Sequence, residues 1–449
     1  MKRIHFFALI AALLLSAGAS AQSFRTGYFL DNYVYGYHIN PAQVNQKSFI
    51  ALGLGNTNLQ QTMNYGVANF VFPTANGVVT GFNKAVTAEQ FIGAMPERLT
   101  LTLDESFNIL SFGVADRKNK AMHTFELNVR ALGTIALPRD LFAFLKQGGD
   151  RTYDISGINV NMGGLADIAY GYSRHIGSKL TVGGRVHLLL GVANANIYTE
   201  NSNITVNASQ ATVNEQVNMQ ISGILTVGTD ENGKVSTKQI GMKGDALGGF
   251  GVGLDLGAEY QPIDGLKVML SITDLGFISW KNSTDLVSSN QITYTGSTIT
   301  YDESGVKMDG IQGMVDKLKE AMIFKPGNTP NRTSMMPMNI ALGARYNMFF
   351  YKPLSAGMLG TFHIDGVGSW YDLRAGITFT PAYIFSITGS LGFGTFGGTW
   401  GAAMNLHLGP LNLRAGLDSF MGRIGKVEGI PAPLDNLLLN ANMGIGFTF

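Results

Sequence analysis

The stretch Phe250-Gly251-Val252-Gly253-Leu254-Asp255-Leu256-Gly257-Ala258-Glu259-Tyr260-Gln261 decides the fold. Every second residue is apolar, and those between are glycine, acid or amide. A period of two puts the first set on one face of an extended strand and the second on the other. Pro262-Ile263-Asp264-Gly265 then supplies turn chemistry, after which Leu266, Val268, Leu270 and Ile272 resume the alternation against Lys267, Ser271 and Thr273.

Outward from this hairpin the same period recurs. Met338, Ile340, Leu342, Ala344 and Tyr346 stand against Asn339, Gly343, Arg345 and Asn347. Tyr371, Leu373, Ala375, Ile377 and Phe379 stand against Asp372, Arg374, Gly376 and Thr378. Trp400, Ala402, Met404, Leu406 and Leu408 are followed at once by Leu411, Leu413, Ala415 and Leu417. A soluble β-sandwich also alternates, but apolar sets of five or six positions with aromatics near their ends suit a lipid band with an aromatic girdle. The composition agrees: charged residues make up only 14% of 449, with 57 glycines and a net charge of +1. So little charge leaves too little polar surface for a soluble protein of this size, and a nearly neutral chain lacks the positive field that nucleic acid requires. There is no cysteine, which removes disulfides, thiolate catalysis and Cys-bound metals. No cofactor and no metal are expected.

The first residues read as a cleavable export signal, with Lys2 and Arg3, an apolar run from Ile4 to Leu15, and the small-residue exit Ala19-Ser20-Ala21. Sec export and a mature start at Gln22 follow as expectations. Beyond it no apolar run approaches the roughly 20 residues of a spanning helix, so a membrane protein of this sequence must be a closed barrel. The expected organisation is a signal peptide over 1–21, an N-terminal luminal segment over 22–47 and an antiparallel transmembrane β-barrel over 48–449. The assignment yields about sixteen strands, and about 14 if the weak first ones merge.

Connection lengths support this reading. Counted back from the C-terminus, tight turns near Gly409-Pro410, Pro381-Ala382, Lys352-Pro353, Pro262 to Gly265 and His175 to Ser178 fall on one side. Long connections, Gly422 to Asn436, Lys281 to Pro337, Thr199 to Lys243 and Thr134 to Met162, fall on the other. Short periplasmic turns and long extracellular loops mark outer-membrane barrels. Thr199 to Lys243, rich in Asn, Thr, Ser and Gln, is expected to extend its flanking strands as a hairpin above the membrane. Helices are predicted at Thr87 to Met95, where Thr87 and Gln90 have capping-box spacing, at Pro138 to Gln147 with Pro138 as first helical residue, and over Met308 to Met322.

The end of the chain alternates through Leu439, Ala441, Met443, Ile445, Phe447 and Phe449. It resembles the C-terminal strand signal of the barrel assembly machinery, with Phe447 and Phe449 as its aromatic positions. At the other end Tyr28-Phe29-Leu30-Asp31-Asn32 leads to Asn40-Pro41-Ala42. That tripeptide resembles the hatch motif of the FadL-like fatty-acid transporter barrels and of PorV-type barrels, in which the segment before the first strand enters the lumen. Together with Gly251 to Tyr260 and Ser271 to Trp280, these stretches are similar to a Bacteroidota outer-membrane family of unknown function. The resemblance implies a barrel and a membrane address, with no substrate.

Strand parity sends Arg130, Arg185, Lys267, Arg345, Arg374 and Arg414 into the lumen, with Glu126, Asp167, Asp255, Glu259, Asp372 and Asp418. Two readings stay open, a polar permeation path and a paired network that holds the lumen rigid; the mixture of signs favours the network. An enzyme would need a base beside a nucleophile. His187, His363 and His407 have inward parity, with Ser355 and Asp365 on the face of His363, yet their spacing does not demand a catalytic arrangement and no His-x-x-x-His occurs. Glycine strings such as Gly248 to Gly253 lie within a strand and read as small inward positions. The leading expectation, by resemblance, is a passive channel for a hydrophobic or amphipathic small molecule, lodged in outer-membrane lipid. The runner-up is a scaffold that holds an exported protein partner, and the third is an outer-membrane hydrolase.

Overall fold

The computed structural model describes residues 24–449 apart from 46, 54, 76, 208–209, 230–234, 243–246, 282, 296–300, 303–304, 307–323, 327–331 and 428–429. Fourteen antiparallel strands close into one barrel. They are β1 (Phe49–Leu52 and Thr57–Met63), β2 (Arg98–Asp116), β3 (Ala121–Pro138), β4 (Asn159–Ile176), β5 (Leu180–Thr199), β6 (Gly249–Ile263) and β7 (Leu266–Trp280). The second half comprises β8 (Arg332–Met335 and Met338–Asn347), β9 (Leu354–Ile364), β10 (Trp370–Ala382), β11 (Phe385–Gly394), β12 (Gly397–Leu408), β13 (Leu411–Phe420) and β14 (Leu437–Thr448). Each strand pairs with its sequence neighbour, and β1 closes on β14 from Thr57↔Met443 to Met63↔Leu437. Closure leaves no open edge, the condition for a sheet to stand in lipid.

The period-two pattern is the reason the strands lie as they do. In β10, Leu373 is 51% exposed between Asp372 at 1% and Arg374 at 2%. Apolar side chains such as Leu342, Met358, Ile377 and Leu391 form the outer surface, while the charges face in. This arrangement is that of an outer-membrane barrel. Among the described residues no helix is long and apolar enough to cross a membrane.

Of the fourteen to sixteen strands expected the barrel has fourteen, and the strands described within residues 64–97 and 200–248 are not members of the closed ring. The Thr199 to Lys243 connection does extend the wall, by a non-local route. Gln210–Gly223 runs beside β5 from Thr199↔Val217 to Ala193↔Gly223, directly above the point where β6 takes over at Gly191↔Gly249. Thr284–Thr295 pairs with it in turn. Helix α1 (Ala88–Gly93) begins at Thr87 with the capping box formed, the Thr87 hydroxyl accepting from the Gln90 amide. Helix α2 (Arg139–Gln147) starts one residue later than expected, with Pro138 at the N-cap because it still belongs to β3. Phe91, Met95, Leu99 and Phe142 form an apolar cluster beneath these helices. The helix expected over Met308 to Met322 lies outside the described residues.

Candidate functional site

Fourteen strands enclose more space than wall side chains fill, since about eight already suffice for a packed interior. Residues 24–47 occupy that space as a plug. The chain coils through turns at Arg25–Tyr28 and Gly36–His38. Asn32 has φ +57°, a left-handed conformation that asparagine tolerates. The plug ties itself together, with Gln43 Nε2 donating to the Tyr33 carbonyl at 2.8 Å and Asn45 Nδ2 to that of Val34 at 2.8 Å.

Asn40-Pro41-Ala42 forms the base of the plug. Asn40 Oδ1 accepts from the Ala42 amide at 3.0 Å, an Asx turn that proline stabilises by occupying its middle position. The turn rests against Gly183 of β5 and Gly257 of β6, where a Cβ would collide with Pro41 and Asn40. Ser271 Oγ donates to the Ile39 carbonyl at 2.6 Å and Ser173 Oγ to that of Gln43 at 2.9 Å. On the opposite wall, Phe29 lies over Gly357 and Gly376, and Thr378 Oγ1 donates to the Phe29 carbonyl at 2.6 Å.

Two charged clusters of the wall reach the plug. In the first, Glu126 of β3 accepts from Tyr37 Oη at 2.8 Å and meets His38 Nε2 at 2.9 Å. Arg185 of β5 bridges Glu126 at 2.6 Å and Asp255 of β6 at 3.1 Å. His187 has both ring nitrogens engaged, Nδ1 with Asp167 at 2.9 Å and Nε2 with Asp255 at 3.0 Å. Arg130 crosses to Asp274 at 2.6 Å, with Asp104 and Asp167 at 3.9 and 4.0 Å. In the second cluster Arg374 binds Asp372 at 3.1 Å and Asp418 at 3.0 Å. Asp418 also takes the Arg25 amide at 3.1 Å and the Thr26 hydroxyl. Lower down, Arg345 pairs with Asp31, Lys267 with Glu259 at 2.7 Å, and Arg414 lies 4.0 Å over the Tyr35 ring.

The inward charges predicted by parity therefore meet in opposite-sign pairs, apart from Arg414, whose neighbours are Tyr35 and Asn412. Parity missed Arg25, Asp31, His38, Asp104 and Asp274. The first three belong to the plug, which has no strand period. Asp274, with φ +61°, occupies a bulge where two residues of β7 face Asp255 alone, so its parity is shifted. Only Asp104 was open to the same reading, as an inward neighbour of Ser106 in β2.

The candidate catalytic residues stay apart. Ser355 accepts from Arg345 near one rim, while His363 meets Asn339 and Asp365 accepts from Thr134 near the other. His187 has no ring nitrogen left for a nucleophile. His407 bonds Asn405 and Asn412. At the C-terminus Phe447 is half-exposed on the outer face, and the Phe449 amide donates to the Ser48 carbonyl, which holds the chain end at the closing seam.

The plug divides the lumen unequally. Below it a cavity of ≈580 Å³ opens toward the tight-turn side, bounded by Asp31, Asn32, Lys47, Glu259, Lys267 and Tyr383 among others. Above it a pocket of ≈60 Å³ lies among Leu103, Leu132, Trp280 and Met336 with Asp104, His363 and Asp365.

A family model described as "Family of unknown function (DUF5723)" matches residues 41–418. A sequence comparison with curated proteins finds no match. Among solved structures, the toluene transporter TbuX of Ralstonia pickettii is 10% identical over 92% of both chains, with a TM-score of 0.42. A FadL homologue of Pseudomonas aeruginosa is 10% identical over 96% of this chain and 99% of its own, also at 0.42. The toluene transporter TodX of Pseudomonas putida is 10% identical over 96% and 95%, at 0.41.

Proposed function

The chain belongs to the DUF5723 family, and we propose that it is an outer-membrane channel that passes a hydrophobic or amphipathic small molecule downhill, described here with its plug in place. The observation that carries this reading is that the lumen is shut by a separate stretch of chain seated on glycines, not by the wall itself. Residues 24–47 touch the wall through polar bonds at Asp418, Thr378, Ser271, Ser173 and Glu126 and through apolar packing of Phe24, Tyr35 and Tyr37 with Phe49 and Met122. A structural filler has no need of a 580 Å³ antechamber on one side. Export through the N-terminal signal, assembly through the Phe447 and Phe449 strand, and a hatch role for Asn40-Pro41-Ala42 belong to the same proposal.

The test displaces the plug without altering it. Gly257→Val and Gly183→Val each place a branched side chain in the seat of Asn40-Pro41. In proteoliposomes, influx of a medium-chain fatty acid and of a monoaromatic hydrocarbon is expected to rise at least tenfold over the parent, with glucose as the polar control. If neither probe crosses through the parent or the variants, the channel reading is wrong.

A partner-binding scaffold is the second reading. Its support is the superstructure on the long-loop side, where Tyr153, Ile155, Ile204 and Val213 build an apolar core outside the barrel. It predicts a stable protein partner in crosslinking and unchanged influx in both glycine variants.

A further inference from the structure

We propose that a depression on the outer wall of β4 to β7 is a binding site for one glycerophospholipid of the periplasmic leaflet. The depression measures ≈500 Å³ and is lined by Tyr172, Val182, Gly184, Leu256, Ala258 and Leu270, with Ile272 beside them. All of these have outward parity, and two cross-strand rows account for the shape. Tyr172↔Gly184↔Leu256 has a glycine at its centre, and Val182↔Ala258↔Leu270 an alanine. Around them the wall stands full height, with Tyr170, Val186, Leu256, Leu270 and Tyr260 between 46% and 55% exposed. The two small residues leave a trough whose floor is backbone, and an acyl chain fills such a trough with dispersion contacts that a flat wall does not offer.

The trough lies near the tight turns. Val182 is five residues from Gly177, and Leu270 five from Gly265. At about 3.3 Å per residue and a tilt of about 40°, that depth is about 13 Å, within one leaflet of a hydrocarbon core about 30 Å thick. Because the tight turns mark the periplasmic side, the leaflet is the one built of glycerophospholipids.

The rim supplies the complementary charge. Arg174, on outward parity, is exposed and faces Val182 directly across the β4–β5 ladder. It makes no ion pair among the described residues, so its guanidinium is available to a phosphate diester at the headgroup level, where a long cationic side chain comes to rest. Tyr260, opposite Leu180, adds an amphipathic ring at the same height, and Lys179 in the turn donates to the Pro262 carbonyl at 3.0 Å. Behind the trough floor, one backbone away, lie Asn40 and Pro41 of the plug.

The test uses the full chain purified in mild detergent and exchanged extensively, with bound lipid counted by native mass spectrometry and extraction. The parent is expected to retain about one phospholipid per barrel. Gly184→Leu and Ala258→Leu, which fill the trough, are expected to lower that occupancy at least fivefold. Arg174→Gln is expected to release the lipid at lower detergent, with Arg174→Lys restoring most retention. Gly389→Leu, an outward substitution into open space on β11, is the control and retains the lipid. Heat-modifiable migration on gels establishes that each variant is folded. Absence of phospholipid from the folded parent, equal retention in folded Gly184→Leu and Ala258→Leu, or lipopolysaccharide in its place overturns the proposal. None of these results depends on whether the lumen conducts.

Discussion

The first and second halves of the barrel differ in height. Strands β2 to β5 run for 19, 18, 18 and 20 residues, whereas β9 to β14 run for 11, 13, 10, 12, 10 and 12. A tilted strand of about 9–11 residues crosses the bilayer. The short side therefore stops where lipid stops, while the tall side carries about eight further residues per strand into the medium, or about 25 Å of sheet. That excess is where the long connections pack. The two sides also hold the plug differently: the tall side through Glu126 and the chain of charges behind it, the short side through Asp418, Thr378 and small residues.

Substitutions break or sharpen this contrast. The largest effect is expected at Glu126→Gln on the tall side. It leaves Arg185 with Asp255 alone and His38 buried without its carboxylate, and losing one partner of a buried charge pair costs about 3–5 kcal/mol. Denaturant unfolding from lipid vesicles reads the loss, and an equal loss in Asp418→Asn would erase the distinction between the sides. Next comes Ile377→Arg on the lipid face of β10, 60% exposed and near mid-height, with an expected cost of about 2–4 kcal/mol. Asp418→Asn follows at about 2 kcal/mol, because Arg374 keeps Asp372 and the Arg25 guanidinium, 3.7 Å from Asp418, keeps its place over the Trp370 ring, while the Arg25 amide and Thr26 lose a charged acceptor. Thr152→Arg, on the exposed face of the tall side's extracellular hairpin, should stay within about 0.5 kcal/mol. A cost like that of Ile377→Arg would mean that the tall strands are immersed in lipid along their whole length.

The smallest effect concerns the one longer connection of the short side. Arg423 bonds Asp435 at 3.1 Å and holds its carboxyl below the ordinary carboxylate value, by side-chain and backbone hydrogen bonds. Since the folded value is the lower one, the contribution is present above the unfolded value of about 4 and fades as pH falls through the folded one. The protection of this loop from hydrogen exchange, taken relative to the intrinsic amide rate at each pH, should be steady from pH 7 to about 4 and fall below, with barrel stability unchanged. Protection already falling near pH 6 would argue against the pairing.

Most strands from β6 onward were legible because they carry four to six alternating positions, and lipid on one side makes alternation obligatory. β1 was not. Its run is interrupted between Leu52 and Thr57, and Thr57, Asn58, Gln60, Gln61 and Thr62 supply no apolar face. The charged positions of the lumen were legible for the same reason as the strands, but their partners were not. Arg130 meets Asp274 across 144 positions of sequence, and Arg345 meets Asp31 across 314. The outer trough left no sequence mark, since one glycine and one alanine on lipid-facing positions look like any other small residues.

The amino-acid order alone determined that this chain alternates, that it lacks a spanning helix, and therefore that it closes on itself in a membrane. Those are local properties, set by the two-residue period and by the cost of an unpaired amide in lipid. Tertiary structure alone decided what fills the closed wall: that residues 24–47 coil inward, that the charges of β3, β5, β6 and β7 meet one another and reach the plug at Glu126, and that small residues on neighbouring strands line up into a trough. Each of these depends on which side chains the barrel brings opposite one another, and that is a matter of closure and register across hundreds of residues.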